Sequence, residues 1–215
     1  MNSENLPLGG QWGATIIMIV VVSWILYKYI APKNFKEWRS AGLVQAFIIA
    51  LYAEMYGFPL TIYILTSFLG IDISWLHTRG HLWGTLLGLG DTGAMIEMFI
   101  GFTFILVGLI LMARGWHLIY SAQERDGLVT DGIYRHIRHP QYTGIFIALF
   151  GQLIHWPTIV TVLLFPVIIG AYYHLARKEE KAMISKFGDA YRTYMQSVPI
   201  FFPKLKNWHL MFEES

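Results

Sequence analysis

The run "YTGIFIALFGQLIHWPTIVTVLLFPVIIGAYYHLA", residues 142–176, decides the fold. A helix crosses the hydrocarbon core of a bilayer with roughly 20 mostly apolar residues, so this run is long enough for two. The "HWPT" at 155–158 supplies polar groups and a proline where a turn between them is needed. The first arm then holds about 15 residues, or roughly 22 Å of helix, so the hairpin is expected to stop short of the far surface. Three further apolar runs lie upstream, at 12–30, 43–69 and 94–113, and the second of them contains Glu54 and Pro59. The reading is an all-α integral membrane protein of five helices. Composition agrees: 55% of the 215 residues are hydrophobic and 14% charged, against about 25% charged in soluble domains. One membrane domain, 1–215, is expected. It comprises N-terminal helices and an external loop (1–93), a core (94–203) and a tail (204–215). The run at 12–30 lacks a basic flank and a small-residue cleavage site, and is expected to be retained.

Basic residues set the orientation. Lys28, Lys33, Lys36 and Arg39 flank the first loop, Arg114, Arg125, Arg135 and Arg138 lie in 114–140, and Arg177, Lys178, Lys181, Lys186, Arg192, Lys204 and Lys206 follow the last run. With five helices these segments share one side, and of 16 Lys and Arg only Arg79 lies opposite. The positive-inside rule puts the N-terminus outside and the tail in the cytoplasm, which suits a cytoplasmic membrane with its polar site facing inward. A net charge of +2 offers nothing to a nucleic-acid partner, and the absence of cysteine removes disulfides and thiolate metal sites.

The external segment, 71–93, contains Gly88, Gly90 and Gly93 as a literal G-x-G-x-x-G. A dinucleotide fingerprint needs a strand before it and an acid about 20 residues after it. Here a flexible interhelical loop is the plain reading. His77 and His81 are spaced to share a metal with Asp72 or Asp91 on a helix, but Gly80, Trp75 and Trp83 favour interfacial packing, so no metal is assigned. Glu97 is read as interfacial. In the tail, Met183, Phe187, Tyr191, Tyr194 and Val198 recur at helical spacing, with Gly188 ending one short amphipathic helix and Asp189 capping the next.

Chemistry concentrates at the foot of the hairpin. Residues 128–144 offer Tyr134, Arg135, Arg138, His139 and Tyr142, and residues 177–199 offer Arg177, Glu179 and Glu180. Pro140 stops a helix before it and fits the first turn of one after it, where free N–H groups would favour an anion. Carboxylates opposite would suit a cation. A ligand with an amino acid end and a cationic centre satisfies both, whereas contact with lipid headgroups accounts for the arginines and tyrosines more simply.

"LVTDGIYRHIRHPQYTG", residues 128–144, resembles the L-V-T-x-G-x-Y-x-x-x-R-H-P-x-Y-x-G signature of the isoprenylcysteine carboxyl methyltransferase family and its phospholipid methyltransferase relatives. "EEKAMISKFGDAYRTYMQSVP", residues 179–199, is similar to the family's E-E, F-G-x-x-Y-x-x-Y and V-P elements, and the likeness spans roughly residues 110–203. The resemblance implies an integral membrane methyltransferase using S-adenosylmethionine. It implies a cofactor site at Leu128, Val129, Gly132, Tyr134, His139, Pro140, Tyr142, Gly144, Glu179 and Glu180. His117 resembles a histidine at the end of the preceding helix in the family.

A hydrophobic or lipid-like acceptor would enter from the bilayer, with the first two helices as a possible entry route and membrane lipids as neighbours. A carboxylate acceptor needs no base. An amine or thiol must lose a proton, for which His117, His139 and Glu180 are candidates. Arg138 is the first choice to hold an anionic substrate group, with Arg135 and Arg177 behind it. Glu54, an acid within an apolar run, would touch substrate or bond within the bundle. Two other readings use the same residues. One is an NADPH-dependent membrane reductase of the sterol-reductase type, which shares a similar R-H-P-x-Y-x-G segment. The other is a non-catalytic membrane protein that binds lipid or a partner.

Overall fold

The hairpin and its turn fall where the apolar run and "HWPT" place them. In a computed structural model, residues 82–122 and 127–203 are described, together with residues 13, 16, 17, 20, 21, 24, 47, 49, 50, 61, 64, 67, 69 and 70. Glu54, Pro59, Asp72, His77 and His81 lie outside the described residues. Among those described, the regular elements are α1 (Leu82–Leu86), α2 (Gly90–Ala122), a 3₁₀ turn (Gly132–Arg135), α3 (Pro140–His155), α4 (Ile159–Phe187) and α5 (Asp189–Ser197). The chain divides into two compact units, one of residues 1–100 with 153–168, the other of residues 101–152 with 169–215.

In the first unit, the described part of the expected flexible loop, residues 82–93, carries helix. α1 occupies 82–86, and Gly90 and Gly93 already belong to α2. A Cβ on Gly84 would stand 2.7 Å from the Ala94 amide nitrogen, so the two backbones meet at van der Waals distance. Glu97, expected at an interface, is buried and accepts the Gly84 N–H at 3.0 Å, which satisfies a donor that would otherwise be stranded. At the head of α4 the side chains of Thr158 and Thr161 cap reciprocally. The Thr158 N–H donates to Thr161 Oγ1 at 3.0 Å, and the Thr161 N–H to Thr158 Oγ1 at 3.1 Å. Thr61 Oγ1 accepts the Ile159 N–H at 3.0 Å. The turn thus solvates its own backbone, as it must where water is scarce.

In the second unit, α2 and α3 run antiparallel along a line of glycines. Gly101, Gly108 and Gly115 recur every seven residues on α2, and face Gly151, Gly144 with Ala148, and Pro140 with Gln141 on α3. A Cβ on Gly144 would lie 2.5 Å from the Gly108 carbonyl oxygen and 2.8 Å from the Met112 amide nitrogen. Only backbones without side chains approach this closely, the packing favoured where lipid offers no hydrophobic drive. Beyond the stripe, Leu111, Ile133, Tyr134 and Ile137 form a core closed by Val107, Leu118, Ile119, Val129 and Ile147.

Two helices run further than expected. α2 has 33 residues and carries the 94–113 run on to Ala122, because no proline lies between Arg114 and Ala122 and Gly115 is held in packing contact with α3. α4 has 29 residues and continues through Arg177–Phe187 in place of a first short surface helix. Pro166 sits inside it. The break comes at Gly188, whose φ of +57° suits glycine, and α5 follows. Asp189 does not cap it: Gly188 holds the capping position, and Asp189 instead accepts from Arg192 Nη1 at 3.1 Å. Because α4 is continuous to Phe187, the buried line is Ile184, Phe187, Tyr191, Tyr194 and Val198, closed by Leu128 and Met195, and Met183 is exposed.

Candidate active site

The 3₁₀ turn pins the signature segment in place. Tyr134 is buried; its hydroxyl donates to the Gly115 carbonyl at 3.3 Å and accepts from Gln141 Nε2. Burial pushes this phenol far above its ordinary pKa, so it stays neutral. Its carbonyl accepts from the Tyr194 hydroxyl at 2.6 Å, which ties the turn to α5. The backbone then reaches Arg138 and His139 in irregular conformation. Both of their N–H groups are engaged by backbone carbonyls. Arg138 N–H donates to the Pro199 carbonyl at 3.0 Å and His139 N–H to the Ile200 carbonyl at 3.1 Å. Pro140 starts α3, as its missing N–H requires.

The charged side chains converge in this same unit. Glu180 is 1% exposed and lies between two guanidinium groups. Arg138 Nη1 is 2.8 Å from Oε1, and Arg177 Nη1 donates to Oε2 at 2.8 Å. Glu179 is more open, at 37% side-chain exposure, and approaches His139 Nδ1 at 3.4 Å. It accepts the Tyr142 hydroxyl at 2.6 Å. The Tyr142 ring stacks on His139, 5.4 Å between centroids and 2° from parallel. Burial opposes a charge on His139, yet the carboxylates of Glu179 and Glu180 outweigh it and hold the imidazole above its ordinary 6.5. Behind them stand Tyr172, 4.9 Å from Tyr142, and Phe146 and Phe201, 5.2 Å apart.

Several buried polar atoms in this cluster have no hydrogen-bond partner: Arg138 Nε and Nη1, His139 Nε2 and Glu180 Oε1. The 2.8 Å approach of Arg138 to Glu180 satisfies their charges without hydrogen-bond alignment. Buried orphans of this kind are uncommon in a folded protein, and a polar ligand with both an anionic and a cationic end would satisfy them.

Of the residues expected at the site, the structure brings together Arg138, His139, Tyr142, Arg177, Glu179 and Glu180. Several others hold the frame. Leu128 packs in the α5 cluster and Val129 in the α2 core. Gly144 is committed to the stripe against Gly108, and Gly132 turns beside Leu118. His117 and Arg135 are exposed, on α2 and on the 3₁₀ turn. Gln141, Thr143, Phe146, Tyr172 and Phe201 had no signal in the sequence beyond apolar or polar neighbours of a motif.

Among the described residues two helices, Gly90–Ile119 and Ile159–Phe187, are long and apolar enough to cross a membrane, and the second bears the carboxylates. The described residues are thus helical, with two helices of membrane-spanning length and a buried, mixed-charge side-chain cluster beside the second. Residues 94–185 match the model of the isoprenylcysteine carboxyl methyltransferase (ICMT) family. A protein-S-isoprenylcysteine O-methyltransferase of Schizosaccharomyces pombe is 38% identical over 85 residues, 39% of this chain and 36% of that protein. Protein-S-isoprenylcysteine O-methyltransferase A of Arabidopsis thaliana is 30% identical over 123 residues, 56% of this chain and 59% of its own. A methanethiol S-methyltransferase of Pseudomonas deceptionensis is 24% identical over 92% of this chain and 76% of that one. The chain thus spans less than two thirds of the isoprenylcysteine relatives.

Proposed function

We propose that the protein is an integral membrane methyltransferase that moves a methyl group from S-adenosylmethionine to a hydrophobic or lipid-like acceptor. The observation that carries this is the buried Arg138–Glu180–His139–Glu179 cluster with its unsatisfied polar atoms, lying in the family segment. Those atoms fit the cofactor's amino acid end. Arg138, whose Nε makes no hydrogen bond, suits the carboxylate. Glu179 has the open carboxylate and suits the ammonium, whereas Glu180 is occupied by Arg138 and Arg177. Leu128, Val129, Gly132, Tyr134, Pro140 and Gly144 shape the site from behind.

Bound there, S-adenosylmethionine supplies a methyl group on a sulfonium that loses its charge on transfer. The chain's own work is orientation. Tyr142 and His139 fix the Glu179 carboxylate from two sides, and a near-attack arrangement is worth several kcal/mol. A carboxylate acceptor, as in the isoprenylcysteine relatives' names, needs no proton removed. A thiol, as in the methanethiol relatives' names, or an amine does. His139, one candidate for that proton, is held towards its charged form by its carboxylates and accepts it only above its raised titration point. His117 is a second candidate, and Glu54 a candidate substrate contact. We place the site at the cytoplasmic face of the cytoplasmic membrane in a five-helix chain, with residues 1–93 as the entry side. The distribution of Lys and Arg supports this.

Calorimetry of S-adenosylmethionine and NADPH against the detergent-purified protein tests the reading. Saturable binding of the first alone is expected. NADPH binding alone would restore the reductase, which the methyltransferase relatives do not favour. Binding of neither by folded protein would leave a lipid- or partner-binding module.

A further inference from the structure

Arg138 and His139 must hold their positions without the help of a helix or sheet. They lie between the 3₁₀ turn and Pro140, where only the bias that a following proline puts on His139 restricts the backbone. What fixes them is a strap 60 residues downstream. Three successive carbonyls of this strap are engaged: Pro199 by the Arg138 N–H, Ile200 by the His139 N–H, and Phe201 by the Thr143 hydroxyl at 2.6 Å.

The third bond is of a different kind from the first two. The backbone bonds tie strap to motif, both irregular, and each alone would let the pair move together. Thr143 sits in the first turn of α3 and is fully buried, so its side chain ties the strap to a rigid element. A hydroxyl has one proton to give. The His139 carbonyl lies 3.2 Å from Thr143 Oγ1 and already accepts the Thr143 N–H at 3.1 Å, so the shorter contact to Phe201 takes the proton. Phe201 is buried at this point, its ring 6.1 Å from His139 and 5.2 Å from Phe146. Withdrawing the hydroxyl would leave the Phe201 carbonyl without this donor and free the strap to shift against α3.

We infer that Thr143 is a positioning residue: through its bond to Phe201 it locks the 199–201 strap to α3, and the strap sets the backbone of Arg138 and His139 against Glu179 and Glu180. The kinetic consequence rests on the methyltransferase reading, but the structural consequence does not.

The test compares Thr143→Val, which keeps shape and loses the hydroxyl, with Thr143→Ser, which keeps it. Amide hydrogen exchange at Arg138 and His139 and the titration midpoint of the His139 ring are read by NMR in the absence of cofactor. Thr143→Val is expected to speed exchange at both amides roughly tenfold, the loss of about one hydrogen bond, and to move the His139 midpoint down towards 6.5. Thr143→Ser is expected to retain wild-type values. With cofactor, Thr143→Val weakens S-adenosylmethionine binding and Thr143→Ser rescues it. Unchanged exchange and midpoint in Thr143→Val overturn the inference. Should that variant not fold, fast exchange of the two amides in the wild-type protein, compared with the interior of α3, overturns it equally. Failure of the wild-type protein to bind S-adenosylmethionine would remove the proposed function and leave the exchange result standing.

Discussion

Glu179 and Glu180 are neighbours in sequence with opposite duties, and exchanging each for glutamine separates them. Glu180→Gln keeps the shape and removes the charge. Arg138, with 8% side-chain exposure, then loses the carboxylate 2.8 Å away, and water does not replace it. Breaking a buried pair in this way costs roughly 3–5 kcal/mol. Arg177, at 51% exposure, is resolvated and adds about 0–1 kcal/mol. His139 keeps Glu179, which sets the sum near the lower end, at about 3 kcal/mol. For a chain of this length that lowers Tm by roughly 6–12 °C. Glu179→Gln removes a charge at 37% exposure and leaves an amide oxygen to accept from Tyr142, so about 1 kcal/mol or less is lost. Its effect appears in binding instead, with affinity for S-adenosylmethionine at least tenfold lower, about 1.4 kcal/mol. Thermal unfolding in detergent and calorimetry measure both. A Glu180→Gln protein melting within roughly 2 °C of wild type would refute the claim that Arg138 is desolvated. A larger Tm loss for Glu179→Gln would reverse the division of labour.

Three further outcomes follow from the same geometry. Gly144→Ala puts a Cβ 2.5 Å from the Gly108 carbonyl oxygen, so α2 and α3 must part at a cost of roughly 1–3 kcal/mol. Gly170→Ala, with nothing within 4 Å, is the matched control, and chemical denaturation is expected to find it no less stable than wild type. His139, raised above 6.5 by its carboxylates, contributes stability that is fully present below that pH and is lost as pH rises through the folded-state value. The difference in Tm between wild type and His139→Gln should therefore shrink from pH 6 to pH 9, and a constant difference would exclude the ion pair. Thr158→Ala removes one side of the reciprocal cap and should cost about 1 kcal/mol in the same denaturation assay.

The parts legible in the sequence were those written in local signals. Pro140 and Gly188 each mark a helix boundary by a property of one residue, a missing N–H in one case and a permitted φ of +57° in the other. The hairpin was visible because length and "HWPT" are both one-dimensional. Glu179 and Glu180 were visible as acids, but adjacent positions on a helix point about 100° apart. The one turned inward is the one that meets Arg138, 42 residues upstream on the irregular segment before Pro140. The strap was harder still. Thr143 and Phe201 are 58 residues apart, and a backbone carbonyl leaves no trace in composition. The glycine stripe repeats every seven residues in α2, yet its partners on α3 fix its meaning. The region 82–93 misled because its glycines read as slack when one of them, Gly93, is there for contact with Gly84.

The strap also fixes when the site comes into being. A chain is made from its N-terminus at about 5–20 residues per second, so Thr143 waits roughly 3–12 s for Phe201. During that interval the apolar stretches of α3 and α4 are added to that of α2, while the Arg138 and His139 amides still lack the carbonyls that will hold them. Tyr134 likewise waits for the Tyr194 hydroxyl, 60 residues on. Biogenesis is therefore ordered, with the apolar stretches made first and the charged cluster closed last. A nascent or truncated chain that stops short of Pro199 carries every charged residue of the site but not the strap that holds two of them in place.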